Sequence, residues 1–267
     1  MSQDAVLTDV DPRGVATVTL NRPEVNNAYD ESLIQGLHAA MDALGGRPDV
    51  RVVVLRGAGK HFQAGADLKW IRNVAAQDAQ ENERVSRATA MAVHRLNNLP
   101  VPTVALVQGG CFGGGTGIVA ACDVVIAADN AMFSIAETRW GLTAAIILPQ
   151  LADAIGARQV RRYALSGERF GAEEARRIGL AHEVVPLAEL AAAGERLVTQ
   201  LLQNAPEANA QTKAAALELA WGAVDDATLG RLVSQHAAKR RSAEATEGLA
   251  SFVEKRPARW APQPAQR

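Results

Sequence analysis

Two small-residue loops and one carboxylate are the groups in this chain best suited to chemistry. The first loop is Gly109-Gly110-Cys111-Phe112-Gly113-Gly114-Gly115-Thr116-Gly117, and Glu137 lies twenty residues beyond its end. Five glycines in the seven positions 109–115 would lose much entropy in a helix or strand. They point instead to an irregular backbone whose N–H groups can hold a negative oxygen. The second loop, Gly57-Ala58-Gly59-Lys60-His61-Phe62-Gln63-Ala64-Gly65-Ala66-Asp67-Leu68, also leaves a strand and enters a helical stretch. One N–H from each loop, aimed at one oxygen, makes an oxyanion hole. For the glycine loop alone, a tightly packed turn is an equal alternative. No Gly-Lys-Ser/Thr follows the glycines, which excludes a P-loop. Gly115, Gly117 and Ala120 match a dinucleotide-type spacing. The next strand begins at Asp123, however, and the roughly two helical turns in between are too few for that crossover.

The elements that must position these loops alternate. Ala16 to Leu20, Val50 to Arg56, Val101 to Val107 and Asp123 to Ala128 read as strands, with helices over Asp30 to Leu44 and Asp78 to Asn97. After Pro149 the pattern is nearly all helical: Leu151 to Ser166, Ala172 to Ile178, Leu187 to Gln203, Ala205 to Trp221 and Asp225 to Ser251. Arg256 to Arg267 reads as a loose tail. The expected class is α/β, with a main domain over residues 1–200 and a helical region over 201–267.

Seven motifs occur in order: Asn21-Arg22-Pro23; Gly59-Lys60 to Leu68; Gly113-Gly114-Gly115 to Ala121-Cys122-Asp123; Phe133 to Glu137; Arg161-Arg162 to Gly167; Ala172, Ala175 and Gly179-Leu180 to Val184-Val185; and Glu247-Gly248 to Phe252-Val253-Glu254-Lys255-Arg256. Together they resemble the enoyl-CoA hydratase/isomerase (crotonase) superfamily over about residues 5–257. The resemblance implies a right-handed ββα spiral whose C-terminal helices form homotrimers, alone or paired as hexamers, acting on acyl-CoA thioesters. It implies that the backbone N–H groups of Ala66 and Gly114 hold the thioester carbonyl, with Gly65 and Gly113 beside them. Ala64, Asp67 and Leu68 match the strip that lines the adenine and pantetheine of CoA. Phe252 and Lys255 match a C-terminal pair that reaches a nucleotide. For Lys255 a solvated charge between Glu254 and Arg256 is an equal alternative.

Hydratases of that family typically place two glutamates around the attacking water. The first position falls on Gly117 and is vacant; the second is Glu137, expected to be partly buried as the general acid/base. One carboxylate serves a hydratase whose water is oriented otherwise, or an isomerase that shuttles a single proton. A non-catalytic acyl-CoA-binding member is a third possibility. Thr143-Ala144-Ala145-Ile146-Ile147 replaces the usual Pro-Gly-Ala-Gly-Gly run, as in members acting on glutaconyl-type esters. On that reading Gly117 leaves room for a branched, carboxylate-bearing acyl group, and Arg139 is its counter-ion. A surface or intersubunit Arg139 is equally compatible.

A net charge of −1 gives no pull toward nucleic acid or anionic membrane. No basic start precedes an apolar run, and no stretch reaches about 18 uninterrupted apolar residues, so a cytoplasmic protein is expected. Cys111 and Cys122 make no disulfide framework. The five histidines show no ligand spacing, so no metal is expected, and CoA enters only as part of the substrate.

Overall fold

Val52-Val53-Val54-Leu55 is apolar without alternation, the pattern of a strand covered on both faces. In the computed structural model, which describes residues 4–220 and 242–261 apart from the side chains of Phe252 and Val253, it lies in the middle of a six-stranded sheet. The strands are β1 (Val6–Val10), β2 (Val15–Leu20), β3 (Val52–Gly57), β4 (Thr103–Val107), β6 (Val124–Ala128) and β9 (Glu183–Val185), in that order across the sheet. All neighbours are parallel except β1 and β2. A smaller sheet joins β5 (Gly110–Phe112), β7 (Met132–Ser134) and β8 (Phe170–Gly171).

Helices cover both faces of the large sheet. Val53, Leu55, Ala105, Val107, Val125 and Ala127 face a core shared with α1 (Glu31–Gly45), α3 (Ala79–Asn97), α4 (Gly114–Ala120) and α5 (Leu148–Ser166). Val52, Val54, Val104, Leu106, Ile126 and Ala128 pack with α7 (Leu190–Leu202) on the other side. Asp30 caps α1, its carboxylate accepting from the Leu33 N–H at 3.2 Å. The remaining helices are α2 (Leu68–Ala75), which buries none of its residues, α6 (Ala172–Ile178), α8 (Pro206–Leu219) and α9 (Ala243–Glu254).

The expected strands and helices that fall within the described residues are found with small shifts at their ends, and three features differ from the expectation. The chain after Pro149, nearly all helical as expected, also carries two short strands: β8 returns to the small sheet and β9 extends the large one beside β6. The stretch Leu148–Ser166 is broken at Gly156, whose φ of 72° and ψ of 149° are not helical. The tail is not loose as far as Ala261, because Trp260 donates its indole N–H to the Gln203 carbonyl at 2.9 Å and accepts from Arg51 at 2.9 Å. Most of the helix expected over Asp225 to Ser251 lies outside the described residues.

Asn27 explains why Asn21-Arg22-Pro23 belongs with the second loop, Gly57 to Leu68. Its side chain is fully buried, with the amide donating to the Ala58 and His61 carbonyls at 2.8 Å each and accepting from the Arg22 N–H at 2.8 Å. The exit of β3 is thereby fixed to the chain ahead of α1.

Candidate active site

Backbone pairing brings the two loops together. Gln63 and Cys111 are joined as neighbouring strands: the Gln63 N–H donates to the Gly110 carbonyl at 3.1 Å, and the Phe112 N–H donates to the Gln63 carbonyl at 2.9 Å. Three residues on, Ala66 is paired with Tyr29 through the Tyr29 N–H on the Gly65 carbonyl and the Asp67 N–H on the Tyr29 carbonyl, both 2.9 Å. That pattern uses the groups on either side of Ala66 and leaves its own N–H on the opposite edge.

The glycine loop ends in α4. Gly113, at φ 50°, donates its N–H to the Ser134 carbonyl at 2.8 Å and accepts from the Thr116 N–H and hydroxyl at 2.9 and 2.6 Å. Gly114 is the first residue of the helix, so its N–H has no intrahelical acceptor and points out of the positive end.

Strand β7 carries the carboxylate to this point. Its pairing with β5 places Phe112 opposite Ser134, and the chain then turns through a short 3-10 segment, Glu137–Trp140. A Cβ on residue 113 would lie 3.0 Å from Glu137 Oε1, so the carboxylate stands directly over Gly113. Its Oε2 is buried and has no hydrogen-bond partner among the described residues. Burial holds the Glu137 carboxyl above the ordinary carboxylate range, opposed by a backbone hydrogen bond.

Tyr29 completes the cluster and was not foreseen from the sequence. Besides its pairing to Ala66, its ring lies against Gly114, with Cε1 2.7 Å from where a Cβ would stand, and meets the edge of Trp70 at 5.9 Å between centroids. Burial, and then the charge of Glu137, push its phenol up to about 12. The available signal was an aromatic in the otherwise polar Asn26-Asn27-Ala28-Tyr29-Asp30, just ahead of a helix cap.

Ala66, Gly65, Gly113, Gly114 and Glu137 are thus gathered around Tyr29. The other expected site residues lie as follows. The Asp67 carboxylate caps α2, accepting from the N–H groups of Lys69 and Trp70 at 2.9 and 3.2 Å, while Leu68 is exposed at the start of that helix. Ala64 donates its N–H to the Asn26 carbonyl at 3.0 Å. Arg139 is exposed and lies along Gly167, its Nε 2.8 Å from where a Cβ on that glycine would be; it has no carboxylate partner among the described residues. Lys255 is exposed just beyond α9, at φ 54°, and the side chain of Phe252 lies outside the described residues.

Gly117 requires a correction. Its position is not an open volume: a Cβ there would lie 2.5 Å from the Cβ of Ile147, a core residue only 2% exposed. Ile147 fills the place that a glutamate at position 117 would take.

Two N–H groups and one desolvated carboxylate in this arrangement can stabilise an oxyanion and move a proton beside it. The family model for enoyl-CoA hydratase/isomerase matches residues 11–263. The chain belongs to the enoyl-CoA hydratase/isomerase family. Among its relatives, the mevalonyl-coenzyme A hydratase of Aspergillus fumigatus is 34% identical over 255 residues, covering 93% of this chain and 92% of that protein. The hydroxycinnamoyl-CoA hydratase-lyase of Pseudomonas fluorescens is 37% identical over 196 residues, covering 72% of this chain and 71% of that one. The crystal structure of an enoyl-CoA hydratase from Shewanella pealeana superimposes with a TM-score of 0.92 at 34% identity, covering 96% of each chain. The mixed α/β architecture is therefore the crotonase fold expected from the motifs. Among the described residues of this family member, no group of three or more His, Cys, Asp or Glu is placed to hold a metal. None of its described helices is long and apolar enough to cross a membrane.

Proposed function

We propose that the protein adds water across the double bond of a 2-enoyl-CoA thioester, with Glu137 as its single general acid/base. The observation that carries this reading is the buried Oε2 of Glu137, without a hydrogen-bond partner among the described residues, on the carboxylate that stands over Gly113 at the start of α4. The N–H groups of Ala66 and Gly114 hold the thioester oxygen as it gains enolate charge, each worth about 3–4 kcal/mol in the transition state. Glu137 takes a proton from water as the oxygen bonds to the β-carbon. The same carboxyl returns that proton to the α-carbon, so one water is added and the enzyme is regenerated. Because Ile147 occupies the place of the glutamate expected at position 117, both transfers fall to one group. The CoA moiety belongs to the substrate, and the reading needs no further cofactor.

The single carboxylate also favours a second reading, an isomerase that moves the double bond by shuttling one proton. Turnover in ¹⁸O-labelled water separates them. Mass spectrometry should find the label on the β-carbon of a hydrated ester; an unhydrated, double-bond-shifted product would select the isomerase.

Gly117 gives no support to a branched acyl group, since Ile147 takes the space. Support for a glutaconyl-type ester now rests on Arg139, which shares the 3-10 segment with Glu137 and is unpaired by carboxylates among the described residues. The reading extends to homotrimers, alone or paired, in the cytoplasm, without nucleic-acid or membrane partners. Exposed Trp140 and Leu165, at 65% and 74%, support an interface, the Thr138 hydroxyl tying their segments together through the Ala164 carbonyl at 2.9 Å.

A further inference from the structure

Gln63 is a fully buried polar side chain to which the mechanism above gives no part. Its amide closes on one residue: Nε2 donates to the Gly65 carbonyl at 3.1 Å, and Oε1 accepts from the Gly65 N–H at 2.9 Å. Those two partners also fix which end of the amide is which. The Gly65 carbonyl accepts a second hydrogen bond, from the Tyr29 N–H. This carbonyl and the Ala66 N–H belong to the same planar trans peptide and point in opposite directions. Pinning the carbonyl from behind with two donors therefore sets the direction of the Ala66 N–H. It also draws electron density toward the carbonyl oxygen, which makes the N–H a stronger donor. The geometry reaches the other loop as well, since Gln63 Oε1 lies 2.6 Å from where a Cβ on Gly115 would be, next to the second donor at Gly114. Gly65 itself sits at φ 90°, a conformation open to glycine without strain, and the hydrogen bonds to Gln63 and Tyr29 hold it there.

We infer that Gln63 is a positioning residue that aims and polarises the Ala66 N–H toward the thioester oxygen. The inference rests on the assignment of Ala66 as an oxyanion donor. It reaches the substrate only through the peptide that Gln63 holds.

The test uses the whole protein and butyryl-CoA labelled with ¹³C at the thioester carbonyl, a saturated ester that cannot be hydrated. Isotope-edited infrared difference spectra read the carbonyl stretch, which a working hole lowers on binding. Gln63→Met keeps the volume and removes both hydrogen bonds; Gln63→Glu, once ionised, keeps the acceptor and loses the donor. Either folded variant should return the stretch part of the way to its free value, the Gly114 N–H keeping the remainder. With the turnover substrate, kcat should fall about 10–100-fold while KM changes less than about threefold. A lowered stretch in the wild-type protein that survives both substitutions overturns the proposal and leaves the oxyanion hole in place. Wild-type protein that leaves the bound stretch at its free value removes the hole itself, and the proposal with it. If neither variant folds, Gln63 is a structural residue and the proposal also falls.

Discussion

Gly117 and Ile147 share one volume: a Cβ on residue 117 would stand 2.5 Å from the Cβ of Ile147. Gly117→Glu must therefore displace a core side chain and bury a charge, rather than fill a vacant pocket. It should destabilise the protein by about 3 kcal/mol or more, read by denaturant unfolding. Ile147→Gly releases the space, so the double variant should be at least about 1 kcal/mol more stable than the sum of the two single changes implies. Additive values would show that the two positions are independent.

Replacing Glu137 removes the carboxylate that stands over Gly113. Glu137→Gln should lower kcat by about 10²–10⁴-fold while CoA-ester binding persists. Steady-state kinetics and calorimetry check the two halves; activity retained within about threefold removes the assignment.

The raised pKa of Glu137 has a consequence for stability with a definite sign. Its folded value lies above the ordinary 4.5 because burial disfavours the ionised form. The contribution of the carboxyl is thus fully present below the unfolded value and is lost as pH rises through the folded one. Glu137→Gln should consequently stabilise the fold at neutral pH relative to wild type, and that advantage should disappear below about pH 4.5. Activity runs the other way, since the base must be ionised. kcat/KM should climb with pH through a midpoint above 4.5.

Tyr29 supports the glycine loop with its ring and the Gly57–Leu68 loop with its backbone. Tyr29→Phe keeps the contacts with Gly114 and Trp70, and its melting free energy should stay within about 1 kcal/mol of wild type. Tyr29→Ala should cost about 3–5 kcal/mol and depress kcat as well, because the pairing partner of Ala66 loses its anchor. Equal behaviour of the two variants would count against this role.

Much of this arrangement is legible in the chain because it is local. The Val52–Leu55 run, the Asp30 cap and the bounds of α6 follow from periodicity, capping and glycine stops over a few residues. The two loops and Glu137 are legible because glycine density and an isolated carboxylate signal chemistry directly. The parts that escape are set by tertiary packing. β8 and β9 have two and three residues, too few to show a period. The occupant of the space at Gly117 comes from thirty residues away, and Tyr29 meets Gly114 only after two separate strand pairings.

Helix α2 begins one residue after the Asp67 that follows Ala66, and it buries none of its residues. Its apolar residues Trp70, Ile71 and Val74 are only half-buried, so unwinding it exposes less apolar surface than unwinding a core helix, and this segment should open at a fraction of the global free energy. Its amide protons should exchange with solvent far faster than those of α3, and slow sharply once an acyl-CoA lies across the hole. The hinge of such an opening is the Asp67 cap, so Asp67→Ala should speed exchange in α2 while leaving the rest of the protein unchanged.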